Sequence, residues 1–149
     1  MMRTINQAGL DLVKRNEGLR LRSYRDVAGV WTIGYGHTPA KAAQVITADE
    51  AEALLREDLG TAEVAVDAAT HDVTTTDNQF SAMVSLAFNI GVGAFRGSTV
   101  LRAHRTGHHE TASAAFLMWD KAHVDGVAQV VPGLLRRRQE ERALYAAVA

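Results

Sequence analysis

Apolar residues recur at helical spacing along most of the chain and at every second position over one stretch only. Ile5, Leu10 and Val13 set a short amphipathic pattern with Asn6 placed to cap it. This predicts a helix over residues 6 to about 16 that runs out at Glu17-Gly18. Over residues 21 to 38 the period falls to two. Trp31, Ile33 and Tyr35 alternate with Thr32, Gly34 and Gly36, and DVAG at 26 to 29 supplies a turn, so a small antiparallel sheet is expected. Alternation puts Trp31 and Tyr35 on the face away from Thr32, where core packing is expected of both.

After Pro39 the pattern is helical. Thr47 and Glu50 frame a capping box that opens a helix to about residue 69, and Thr76 with Gln79 frames a second. Phe80, Met83, Val84 and Ala87 carry that second helix to its end at Asn89-Ile90-Gly91. Ser98 caps a short helix closed by Gly107, residues 112 to 122 read as helix, and Pro132 opens the last one, GLLRRRQEERALYAAV. A single small sheet followed by many helices is an α+β order rather than a βαβ series.

The remaining bulk properties narrow the function. A chain of 149 residues fits one domain, and 47% hydrophobic with 22% charged residues excludes disorder. The absence of cysteine removes disulfides, thiolate metal sites and a cysteine nucleophile. A formal net charge of -1 shows no basic field for nucleic acid. The N-terminus has no apolar run of signal-peptide length and no later segment is long enough for a bilayer, so a cytoplasmic start without stable membrane insertion is expected. Repeats, low-complexity tracts and linkers are absent.

Candidate chemistry concentrates in NEGLRLRSYRDVAGVWTIGYGHT, residues 16 to 38. Glycosidic hydrolysis needs an acid to protonate the leaving oxygen and a second group that activates water or attacks the sugar. Two carboxylates in different surroundings can divide those roles. Glu17 at a helix end and Asp26 in the turn of the sheet can flank a sugar, with Thr32 holding a water against Asp26. On spacing alone, two acids nine residues apart read equally as surface charge.

The combined text is more specific. NEG, YRDVAGVWTIGYGHT, FNIGVGAF and GLLRRRQEERALY, in that order, resemble the phage-type lysozymes, the endolysins of glycoside hydrolase family 24, over nearly the whole chain. The most specific part is a Glu, eight residues, an acid, five residues and a Thr, followed by GYGHT. The resemblance implies hydrolysis of the β-1,4 bond between N-acetylmuramic acid and N-acetylglucosamine in peptidoglycan, with inversion and without cofactor or metal. It implies Glu17 as general acid, Asp26 as the carboxylate that activates water, and Thr32 as its positioner. Gly36 and His37 match the position where the family's sheet meets the sugar, and Asn89 matches a polar side chain on the far wall. Arg137, in the family's GLxxRR motif, is implied to approach Glu17 and affect its acidity. A single lysozyme domain is implied: a sheet lobe over about 17–46, a connecting helix over about 47–69, and a helical lobe over about 70–149 that includes the first helix. Also implied are a monomer, synthesis in the host cytoplasm, and release to the periplasm and cell wall at lysis through lesions made by a separate holin.

Other readings compete. A lytic transglycosylase breaks the same bond without a water-activating carboxylate, and Asp26 with Thr32 argue against it. A non-catalytic wall-binding module is expected to have lost an acid at 17 or 26, and neither is lost. His104, His108 and His109 with Glu110 suggest a metal cluster, but HRTGHHE has no HExxH order, and Gly107 interrupts the helix, so a solvated helix junction is expected. Arg136 to Arg138 lie among Glu140, Glu141 and Arg142. Arg137 and Glu141 form an i, i+4 pair, so a solvated face is expected rather than a membrane tether.

Overall fold

The computed structural model describes residues 2–148 and has, among them, seven α-helices and two two-stranded antiparallel sheets. The chain divides into two compact units, residues 13–60 and residues 1–12 with 61–149. Helix α1, Gln7–Glu17, begins in the larger unit and ends in the smaller. Asn6 caps it, its side-chain oxygen accepting from the Gly9 amide at 2.9 Å. A left-handed Gly18 (φ 75) stops it just after Glu17.

In the smaller unit, β1 (Arg20–Arg25) pairs with β2 (Trp31–Gly34), bringing Tyr24 opposite Thr32 and Arg25 opposite Trp31. The other edge of β1 is bonded through Ser23 N–H to Gln44 O and Ile46 N–H to Leu21 O, so a short third segment backs the hairpin. Ile33, Ile46 and Ala51 form the buried centre here, and Tyr35, Ala40 and Leu54 pack on it. Tyr35 thus reaches the core as its alternation predicts. Trp31 is half-buried and lies instead under the Arg25 guanidinium, 5.0 Å from the ring centre, because it ends the ladder beside the turn. Helix α2, Ala48–Thr70, opens on the predicted box: Thr47 Oγ1 accepts from the Glu50 amide, and Glu50 Oε1 accepts from the Thr47 amide, both at 3.1 Å.

In the larger unit, α3 (Asp77–Ile90) also opens on its predicted box, with Thr76 and Gln79 satisfying each other's amides. Its residues from Gln79 to Ala87 are all buried, so this helix is the unit's central rod. Gly9 of α1 has to be glycine. A Cβ there would stand 2.7 Å from the Cβ of Ser81 on α3 and 2.7 Å from Cγ1 of Ile5. The approach is pinned by the Asn6 amide donating to Ser81 Oγ at 2.9 Å. Helix α4 (Val92–Arg96) and α5 (Thr99–Arg105) follow, the latter capped by Ser98 as its sequence predicts.

Two expectations fail in this unit. Residues 112 to 122 are not one helix: α6 spans His109–Ala115, a 3₁₀ turn covers Phe116–Trp119, and β3 (Lys121–Val124) pairs with β4 (Val127–Val130). The turn of that hairpin is Asp125-Gly126, both left-handed at φ 52 and 78, the backbone a two-residue hairpin loop requires. The second failure concerns charge. On α7 (Pro132–Ala146), Arg137, Arg138 and Glu141 are buried rather than solvated, because this helix packs along α3. The predicted i, i+4 pair exists, with Arg137 Nε 3.2 Å from Glu141 Oε2, and Ser85 of α3 donates to the same oxygen at 2.5 Å. Arg138 Nε stands 2.7 Å from Glu141 Oε1 in an ion-pair contact that lacks hydrogen-bond alignment. Burial pushes the Glu141 carboxyl above its usual range and the Arg138 guanidinium below its own, so desolvation outweighs their mutual attraction.

Candidate active site

Five of the predicted site residues, Glu17, Asp26, Thr32, Gly36 and His37, lie in the smaller unit, and Asn89 and Arg137 lie in the larger. Glu17 is the last residue of α1, where its half-buried side chain leaves the helix toward the sheet. Gly36, left-handed at φ 83, follows β2. A Cβ on it would stand 3.4 Å from Glu17 Oε1, so the carboxylate lies beside the Gly36 backbone.

Asp26 opens the β1–β2 turn. Its Oδ1 accepts from the amides of Ala28 and Val30, each at 2.9 Å, and its own amide donates to Val30 O at 3.0 Å. This is an Asx-type turn, in which the side chain replaces a backbone acceptor and the carboxylate cannot rotate freely. Thr32 is buried, and its hydroxyl donates to Val30 O at 2.9 Å. The backbone of one residue therefore ties the two together: the N–H of Val30 holds Asp26 and its C=O, in the next peptide group, holds Thr32. With its proton spent on Val30, the Thr32 oxygen keeps lone pairs for a donor such as water.

His37 is held at both ends. Its backbone exchanges two bonds with Ile33, and its Nδ1 lies 2.8 Å from Asp58 Oδ2 on α2. Asp58 is a partner the sequence analysis missed, since nothing in the text of a solvated-looking helix marks one acid from another. Asn89 lies in the last turn of α3, where its side-chain oxygen accepts from Arg138 Nη2 at 2.7 Å. Arg137 is bonded to Glu141 and to Ser85, whose carbonyl and hydroxyl oxygens are each 3.4 Å from Nη2. Ser85 was also missed, although its place on the buried stripe of α3 gives it the signal of a polar residue that must find a partner.

The histidine group departs from the solvated junction expected of it. His104 is 1% exposed, with Nδ1 2.6 Å from the Tyr145 hydroxyl and Nε2 2.8 Å from Thr75 Oγ1. Its ring stacks on His109 with centroids 5.3 Å apart. Since Thr75 donates onward to Val73 O, Nε2 carries the proton and Nδ1 accepts from Tyr145. Burial drives its pKa down from 6.5 to about 4, with smaller contributions from the His109 and Arg105 charges. His104 is therefore a neutral core residue.

Comparison with known proteins gives the family. The phage lysozyme family model matches residues 14–141. The endolysin of Acyrthosiphon pisum secondary endosymbiont phage 1 is 46% identical over 142 residues, which covers 95% of this chain and 97% of that protein. The endolysin of Bacillus phage PZA is 42% identical over 145 residues, 95% of this chain, and the chain spans about half of it, 54%. Among solved structures, the muramidase domain of SpmX from Asticaccaulis excentricus superposes with a TM-score of 0.91 at 41% identity, covering 98% of this chain and 100% of that one. On this match of sequence and fold, the chain belongs to the phage lysozyme family.

Proposed function

We propose that this chain is an endolysin-type muramidase that hydrolyses the β-1,4 bond between N-acetylmuramic acid and N-acetylglucosamine in bacterial peptidoglycan, with inversion at the anomeric carbon. Family membership and the endolysin relatives support the reaction class. The observation that carries the residue roles is the backbone of Val30, whose N–H and C=O hold Asp26 and Thr32.

In this reading Glu17, with one oxygen beside Gly36, protonates the leaving glycosidic oxygen. A water donates one hydrogen to Thr32 Oγ1 and the other to the Asp26 carboxylate, which leaves a lone pair directed at the anomeric carbon. Asp26 takes the proton as the water attacks, on the sugar face opposite Glu17. Because Oδ1 is already held by two amides, the carboxylate is oriented before substrate arrives and no reorganisation is needed at that moment. His37 and Gly36 contact the sugar, Asn89 offers its amide to the glycan, and Arg137 tunes Glu17. The enzyme acts as a monomer, made in the host cytoplasm and reaching the wall through lesions made by a separate holin. Among the described residues no helix is long and apolar enough to cross a membrane.

The test is clearing of chloroform-treated Gram-negative cells by the wild type and by Glu17→Gln, which keeps the shape and removes the transferable proton. The rate should fall by several orders of magnitude with the fold intact. More than a tenth of the activity remaining removes Glu17 from the role. Proton NMR of the first product should show the α-anomer. An initial β-anomer would make Asp26 a nucleophile instead.

A further inference from the structure

The larger unit contains a cavity of about 850 Å³ that has no part in the roles above. It lies where the start of α3, the start of α6 and the end of α7 meet, and Gln79, Ser113, Tyr145, His109, Glu110 and Arg142 line it. Thr76, the N-cap of α3, shares this cavity, while Asn89 lies in the last turn of α3 thirteen residues further on, about 20 Å along its axis. The cavity is thus remote from the α3 end assigned to the glycan.

Its polar groups are unspent. Gln79 and Ser113 are each 8% exposed. Gln79 uses Oε1 on the Thr76 amide, and among the described residues its Nε2 has no partner. The Ser113 hydroxyl has none either. Neither atom is sealed from solvent, so both are open to the cavity and free to bond a polar ligand. Glu110 and Arg142 add opposite charges, both exposed, and neither forms an ion pair with the other or with any described residue. Two unpaired charges of opposite sign in one cavity suit a ligand that carries both signs itself. Tyr145 contributes an aromatic wall, and its hydroxyl is already committed to His104.

We propose that this cavity is a second binding site, specific for a zwitterionic amino-acid terminus, with the ligand carboxylate on Arg142 and its ammonium on Glu110. Gln79 Nε2 and Ser113 Oγ complete the contacts with peptide carbonyl groups. The volume falls in the range of small-ligand sites. Given the reading of peptidoglycan as substrate, on which this identification of the ligand rests, the chemistry matches the free end of a diaminopimelate stem peptide, where ammonium and carboxylate share one carbon. A site at the far end of α3 would then hold a stem of a neighbouring strand and keep the enzyme on the wall between cleavages.

The probe is the free tripeptide L-alanyl-γ-D-glutamyl-meso-diaminopimelate, titrated at millimolar concentration into ¹⁵N-labelled protein. Shifts are expected at the Gln79 side-chain amide and the Ser113 backbone. Arg142→Gln and Glu110→Gln, both at exposed positions, should each weaken binding by about threefold to fivefold, the reach of an exposed charge pair. Acetylating the peptide's amines should abolish the effect of Glu110→Gln and leave that of Arg142→Gln. Absence of shifts, equal shifts from a neutral N-acetylglucosamine trisaccharide, or binding indifferent to both substitutions would overturn the site. Cell clearing by the same samples reports on the hydrolytic reading separately: clearing without tripeptide binding removes this site alone, and tripeptide binding without clearing leaves it standing.

Discussion

Lowering the pH should destabilise this protein through one residue, His104. In the unfolded chain its imidazole takes a proton below about 6.5, whereas in the fold burial delays protonation to about 4. Between these values the unfolded state binds more protons, so stability rises with pH through the window and is lost as pH falls through it. At about 1.4 kcal/mol per pKa unit, the gap between 6.5 and about 4 amounts to about 3 kcal/mol. At 1% exposure solvent does little to reduce it. Against a total stability of about 5–15 kcal/mol this is a substantial share, equivalent to about 6–12 °C in Tm for a chain of this size. The geometry explains why the site cannot adapt: Nδ1 accepts from Tyr145, so a second ring proton would meet a donor, and His109 is stacked 5.3 Å away.

The assay is urea unfolding followed by tryptophan fluorescence at several pH values from 4 to 7, for the wild type and His104→Gln. Glutamine cannot titrate, so the variant should carry a fixed cost of about 1–2 kcal/mol for two imperfectly replaced hydrogen bonds and no slope from this position. Every other titrating group is shared and cancels in the difference. The wild type should lose about 3 kcal/mol more than the variant between pH 7 and pH 4. A stability difference constant across that range refutes the assignment. The same measurement bears on activity, since acid loss in cell clearing would otherwise be credited to Glu17 or Asp26.

Three further outcomes are expected. Asp26→Asn keeps an oxygen for the amides of Ala28 and Val30 but not the charge, so it should fold like the wild type and lose clearing activity. Asp26→Ala loses the turn acceptor as well and should cost a further 1–2 kcal/mol or so in urea unfolding. Gly36→Ala places a Cβ 3.4 Å from Glu17 Oε1 on a residue at φ 83, so about 1–2 kcal/mol of backbone strain should appear as a lower Tm, together with slower clearing. Glu141→Gln leaves the guanidiniums of Arg137 and Arg138 without their shared carboxylate in a buried site and should cost about 3–5 kcal/mol in urea unfolding.

What the sequence disclosed and what it concealed divides along physical lines. Both capping boxes, the Ser98 cap and the Asn6 cap were legible because each is a bond between residues three apart, written in adjacent letters. The second hairpin was equally local. Its Asp125-Gly126 pair, flanked by valines, is the strongest short-range hairpin signal, and the helical reading of residues 112 to 122 hid it. The buried charges were not legible. RRRQEER shows helical spacing of opposite charges, which fixes who can pair but not whether the pair faces water. That is decided by α3, whose buried Ser85 meets Glu141 from 56 residues away in sequence. His104 is a similar case, since its partners Thr75 and Tyr145 lie 29 and 41 residues from it.

The candidate site lies between these extremes, and Val30 shows why. Side-chain identities at 17, 26 and 32 carry the resemblance, but what joins two of them is the backbone of Val30, whose chemistry no letter records. A hairpin turn needs an acceptor at its first residue to satisfy the amides that the turn turns inward, and Asp26 meets that need with one oxygen. Tying up Oδ1 in this way fixes the direction of the whole carboxylate. Thr32 follows two residues after Val30 in β2 and bonds back to its carbonyl, so the hydroxyl is fixed by the backbone of the same residue. The local rule that closes the hairpin therefore also sets the geometry that water activation requires. Residues selected for the turn and residues selected for chemistry are the same atoms here, which is why a reading by turn propensity and a reading by catalytic pattern arrive at one short stretch of chain.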